Sequence, residues 1–245
     1  MIATTADWVR LMLGLSAVFA IFHASASALG SDRGQYGLLV CALVVGSTLV
    51  VERLAFRTPW PAAVRTLGAG RPHAAGIAAA LAISTLLVLV IPAYAWATES
   101  LFVERDGWWT LLPGLFAQAG IAEEVLFRGW LYGHVRSGRS FWRAATLSLF
   151  PFAAIHLVLF VTLPAPIAAA SLALSVVLSF PLAWLYELGG GTIWGPAILH
   201  ATVQGTVKII EPRESGTALF AIIWMAASAV IPLLAFAVRP RVTSG

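Results

Sequence analysis

The chain has 245 residues, of which 60% are hydrophobic and only 11% are charged. A soluble domain carries about 25% charged residues, and the mean hydropathy of +0.88 points away from water in the same way. A soluble enzyme, a disordered scaffold and a disulfide-stapled secreted domain are excluded, the last because Cys41 is the single cysteine.

What remains is an all-α, polytopic membrane protein. A helix needs about 20 residues to cross ~30 Å of hydrocarbon. Apolar runs of that length predict about eight transmembrane helices, at 8–29, 36–56, 74–97, 108–134, 141–162, 165–187, 191–211 and 217–238. Gly30-Ser31-Asp32-Arg33-Gly34 and Pro59-Trp60-Pro61 break the early runs, Leu163-Pro164-Ala165-Pro166 forms a tight hairpin, and Gly189-Gly190-Gly191 separates the sixth run from the seventh. The first run contains Ala24-Ser25-Ala26-Ser27-Ala28, which resembles a signal-peptide cleavage site. One Arg offset by one Asp precedes it and seven runs follow, so an uncleaved helix is expected, its small residues allowing close packing. No internal repeat or linker is visible, and a single transmembrane domain over 1–245 is expected, with the functional motifs in 108–211.

Charge sets the orientation. With both termini inside, one face holds Arg10, Arg53, Arg57, Arg65, Arg71, Arg136, Arg139, Arg143, Arg239 and Arg241, and the other holds Arg33, Arg105, Lys208 and Arg213. The positive-inside bias makes the first face cytoplasmic, in a plasma or inner membrane. A net charge of +4 is compatible with nucleic-acid binding, but fourteen of the fifteen basic residues are arginines clustered in short loops. That is the pattern the membrane bias produces, and no nucleic-acid partner is expected.

Ionisable groups inside hydrocarbon cost at least ~2.5–3.5 kcal/mol each and are functional candidates by default. The fourth run contains Glu123, Glu124 and Arg128, the fifth His156, and the seventh His200 and Gln204. Glu123 lies 13 residues before Arg136 and His156 lies 13 after Arg143, so both sit roughly 20 Å in from those arginines. His200 is nine residues past Gly191, roughly 14 Å in by the same rise. Three helices therefore bring Glu, His and His to a similar level. Glu124 and Arg128 share a face at i,i+4 and are expected to pair, leaving Glu123 for chemistry; His200 and Gln204 also share a face. His23 and His134 are read as packing residues, and Glu187 as interfacial.

At these residues the chain resembles the CAAX protease and bacteriocin-processing family of intramembrane endopeptidases. Ala122-Glu123-Glu124-Val125-Leu126-Phe127-Arg128-Gly129 is similar to its E-E-x-x-x-R motif, Phe152 to His156 to its F-x-x-x-H motif, and Leu185-Tyr186-Glu187 with Gly191 through His200 to the approach to its final H-x-x-x-N. Gln204 stands where the family pattern has Asn, one methylene longer. The first half of the chain matches only in being hydrophobic. The resemblance implies hydrolysis of a peptide bond, with Glu123 and His156 on a water, His200 and the Gln204 position as oxyanion hole, and Glu124, Arg128 and Phe152 in support. It implies a membrane-anchored or C-terminally tailed protein as substrate, whether a prenylated tail, a bacteriocin leader or a myxosortase-type sorting tail.

No cofactor is favoured. Glu plus two His is nevertheless a plausible zinc set, although H-E-x-x-H is absent and the ligands would come from three helices. Two rivals compete with the protease. A transporter predicts inverted repeats, which are not visible. A non-catalytic immunity or scaffold protein on the same fold is favoured only by Gln204.

Overall fold

The computed structural model describes residues 4–29, 33–213 and 217–239. Gly30, Ser31 and Asp32 of the first predicted break, and Arg241 of the arginine count, lie outside the described residues. Helix α1 (Thr5–Ala28) begins at a capping box, in which the Thr4 and Asp7 side chains each accept from the other's backbone N–H. There follow α2 (Arg33–Ala55), α3 (Trp60–Thr66), α4 (Ala74–Val88), α5 (Val90–Thr98), strand β1 (Phe102–Glu104) and α6 (Trp108–Leu115). The chain continues from α6 without a break through two π-helical stretches, π1 (Phe116–Ala122) and π2 (Val125–Tyr132), into α7 (Gly133–Arg136). The rest is α8 (Phe141–His156), α9 (Leu159–Thr162), α10 (Ala165–Leu188), α11 (Trp194–Ile209), strand β2 (Ile210–Pro212) and α12 (Thr217–Val230), which tightens to 3₁₀ over Ile231–Ala237.

Among the described residues, six stretches are long and apolar enough to cross a membrane: Thr5–Ala28, Gly34–Ala55, Ala74–Thr98, Phe141–Thr162, Ala165–Leu188 and Thr217–Ala237. No more than 33% of the apolar window in any of them is buried inside the protein, so their outer faces require lipid. Trp60, Trp96, Trp109 and Trp142 are exposed near helix ends, where amphipathic rings anchor at the headgroups. The protein is all-α and polytopic.

The other two predicted spans depart from a plain crossing, and both carry motif residues. The run expected at 191–211 is a 16-residue helix, α11, that gives way to β2; it is about 24 Å long, short of the ~30 Å hydrocarbon. The run expected at 108–134 keeps its length, but Pro113, which cannot donate, sits one turn before the widening into π1. Two further details differ from the sequence reading. Pro59-Trp60-Pro61 opens a helix instead of a plain break, because a proline in the first turn loses no intrahelical bond. A short antiparallel ribbon pairs Phe102 with Pro212, Val103 with Glu211 and Glu104 with Ile210, so the chain after α5 and the end of α11 meet on one side. On the opposite side the Arg139 guanidinium sits 5.9 Å from the Trp8 ring, and Phe236 packs 5.6 Å from Trp142. Trp8 near the start of α1 and Phe236 at the end of the last helix therefore lie near one another's neighbours, Arg139 and Trp142.

Two apolar clusters fill the interior. One gathers Leu11, Leu15 and Val18 of α1 with Ala122, Val125, Leu126 and Trp130. The other gathers α4, α10 and α12 around Leu199 and Val203. Glu123 and Glu124 thus lie against the first cluster and His200 against the second. Gly129 fixes the approach of π2 to the end of α3, since a Cβ there would run into the Leu67 carbonyl. Gly129→Leu is expected to cost at least about 1–3 kcal/mol through overpacking. The check is thermal unfolding in detergent, with a melting temperature lower by about 5 °C or more.

Candidate active site

The paired glutamates occupy the short α-helical step between π1 and π2. Glu124 is fully buried, and its Oε1 accepts from Arg128 Nη1 at 3.0 Å, the i,i+4 pair expected from spacing. Arg128 is also held from the other side, its guanidinium carbon 5.1 Å from the centre of the Phe152 ring. Phe152 in turn packs edge-on against Phe127 at 4.8 Å and lies 4.3 Å from the His156 ring. The aromatic residue of F-x-x-x-H therefore wedges the cation in place beneath the histidine.

The two histidines are oriented by their Nδ1 atoms. His156 ends α8, and its Nδ1 donates to the Phe152 carbonyl at 2.8 Å. In a neutral ring that leaves Nε2 as an acceptor. His200 stands in α11, with Nδ1 2.6 Å from Glu124 Oε1, Nε2 3.7 Å from Glu123 Oε2 and Nε2 2.6 Å from the Gln204 amide nitrogen. A carboxylate accepts only, so Nδ1 carries the proton. In the neutral ring the Gln204 amide then donates to Nε2. The Glu124–His200 contact was not legible in spacing: Glu124 both holds Arg128 and aims His200 at Glu123.

Two cavities meet at Glu123 and His156. The larger, about 360 Å³, runs from Glu123, Arg128, His156, His200 and Gln204 along an apolar wall of Leu159, Leu174, Leu178, Leu182, Val203 and Trp224, with Lys208 in its lining. The smaller, about 230 Å³, lies on the α1 side and is lined by Phe19, Phe22, His23, Gln118, Phe127 and Thr162, together with Glu123 and His156. Every residue predicted to act directly, Glu123, His156, His200 and Gln204, lines the first cavity. His156 lies within electrostatic range of Glu123, Arg128 and His200. Among the described residues, no three or more His, Cys, Asp or Glu side chains are grouped to hold a metal ion.

Three polar residues escaped the sequence reading. Gln118, an isolated amide in an apolar run, proves buried beside Glu123. Glu52 is buried at the cytoplasmic end predicted for α2, where it accepts from Trp130 Nε1 at 2.9 Å and Thr58 Oγ1 at 2.6 Å and contacts His134 Nε2 at 2.8 Å. Lys208 was counted only as a loop cation, yet it lines the larger cavity. His134 is a packing residue as expected, stacked on Phe56 at 4.4 Å, whereas exposed His23 stacks on Phe19 at 6.2 Å in the wall of the second cavity. Glu187 bonds Tyr132 Oη at 2.7 Å and Arg136 Nε at 2.8 Å, tying the end of α10 to α7.

Residues 105–206 match the family described as type II CAAX prenyl endopeptidase, Rce1-like. No curated protein and no solved structure is significantly similar to the chain. The matched stretch holds both paired glutamates, Arg128, both site histidines and Gln204. Over residues 105–206, rather less than half of its length, this multi-pass membrane protein is similar to the type II CAAX prenyl endopeptidase family.

Proposed function

We propose that the protein hydrolyses a peptide bond next to the membrane anchor or C-terminal tail of a protein substrate, using a water activated by Glu123. The observation that carries this reading is the meeting of Glu123, His156 and His200 at the junction of two cavities, one of them lined by an apolar wall able to hold a tail. Water attacks the scissile carbonyl carbon, the C–O bond forms, and Glu123 takes the water proton while His156 Nε2 accepts the other O–H. The oxyanion develops toward His200 and Gln204. Glu124 holds the ring from Nδ1; His200 takes a proton from bulk water at Nε2 before the substrate binds, the Gln204 N–H turns from His200 to the oxyanion, and both groups then donate to it. Glu123 then returns its proton to the leaving amine as the C–N bond breaks.

Gln204 serves as the amide of this hole, and the placement of its nitrogen 2.6 Å from His200 Nε2 supports that reading. The arginine-rich face is cytoplasmic, the membrane is a plasma or inner membrane, and the chain acts as one transmembrane domain. Anchored tails reach the site from within the bilayer, so the tested substrates include prenylated tails, leader peptides and sorting tails.

The experiment is cleavage of such a panel in liposomes by wild type and His200→Ala, with and without a strong chelator. Cleavage is expected to survive chelation and to fall about 10²–10³-fold in His200→Ala, the usual cost of an oxyanion donor. Loss on chelation with recovery on added zinc contradicts the water-and-glutamate mechanism.

A further inference from the structure

We propose that the second cavity is the chamber from which the attacking water is drawn, and that Gln118 holds this water against Glu123 and His156; the proposal rests on the general-base reading of Glu123 given above. Gln118 is 3% exposed, shares the cavity wall with both residues, and its side-chain amide makes no hydrogen bond to a described residue. The amide lines the cavity and is not sealed off from it, so a bound water there completes its hydrogen bonding. The local backbone explains the placement. The Glu123 N–H bonds to the Gln118 carbonyl across five residues, and this π-type turn brings residues five apart onto one face, where an α-helix would set them apart.

The three groups complement a water molecule ready to attack. Glu123 offers a carboxylate acceptor, and His156 offers Nε2 as an acceptor because its Nδ1 is committed to Phe152. These two receive both O–H groups. The Gln118 N–H donates to one lone pair on the oxygen, and the remaining lone pair faces the carbonyl carbon. The cavity's volume of about 230 Å³ is several times the ~30 Å³ a liquid water occupies. It lies on the α1 side of Glu123, away from the apolar wall of α10–α12. A substrate tail filling the larger cavity thus leaves the water supply open. In the step itself the water oxygen bonds to the carbonyl carbon, its proton passes to Glu123, and Gln118 keeps its own protons throughout.

The test is steady-state cleavage of an anchored peptide by Gln118→Met and Gln118→Glu beside wild type and Glu123→Gln, with thermal unfolding of each in detergent. Gln118→Met keeps the volume and removes the donor. Gln118→Glu keeps the shape and polarity, and as a carboxylate cannot donate. Each is expected to lower kcat about tenfold, the worth of one hydrogen bond in the transition state, with KM within twofold and unchanged unfolding. A kcat within twofold of wild type in either folded variant, while Glu123→Gln abolishes cleavage, overturns this proposal and leaves the base assignment standing. A raised KM with unchanged kcat also overturns it, placing Gln118 on the substrate. If Glu123→Gln cleaves as wild type, the base assignment falls and the chamber with it.

Discussion

Glu123→Gln is expected to lower kcat by about 10²–10⁴-fold, the contribution of a positioned general base, with substrate affinity nearly unchanged. Glutamine matches glutamate in shape, so the contact toward His200 Nε2, 3.7 Å in the wild type, and the walls of both cavities persist. What disappears is the group proposed to take the water proton. The effect should therefore fall on turnover and not on KM, the signature of an interaction made in the transition state. The neighbouring carboxylate cannot substitute, because Glu124 is fully buried with its Oε1 engaged by Arg128 and His200.

Arg128→Met carries the largest expected loss of stability. It leaves the Glu124 carboxylate, 0% exposed, without its cation in the interior of a membrane protein. Removing one partner of a buried pair costs about 3–5 kcal/mol. The thermal transition in detergent is expected to drop sharply, and cleavage with it. The paired change Glu124→Gln with Arg128→Met removes both charges and should recover much of the stability, since replacing a buried pair by neutral residues is close to neutral. It should not recover cleavage, because His200 Nδ1 then loses the carboxylate that orients the ring. Recovery of both would make the pair a packing element alone.

Much of the site was legible because lipid penalises charge. Glu123, Glu124, Arg128, His156 and His200 stood out against their apolar runs, and counting residues from Arg136, Arg143 and Gly191 brought three helices to a similar level. The Glu124–Arg128 pair follows from α-helical spacing. What stayed hidden depends on backbone geometry that periodicity does not encode. Gln118 and Glu123 are five apart, which is no face spacing on an α-helix, so only the π-type turn of π1 reveals their shared cavity. The Glu124–His200 contact joins helices 76 residues apart, and no local pattern announces it. The seventh run reads as a full span from its apolar content, yet Ile210–Pro212 leaves the helix to pair with Phe102–Glu104. Helix α1 offered only His23, read as a packing residue, yet Phe19, Phe22 and His23 wall the second cavity.

The proposed reaction is the cutting of a peptide bond at Glu123 within the membrane. The most direct test is single-turnover cleavage in liposomes of anchored peptides with C-terminal tails, with excess enzyme and products identified by mass. Wild type is predicted to cut a tail at one defined bond, while Glu123→Gln binds the same peptide and leaves it intact. Cleavage by Glu123→Gln at the wild-type rate, or binding of every tail by wild type with none cut, contradicts the account.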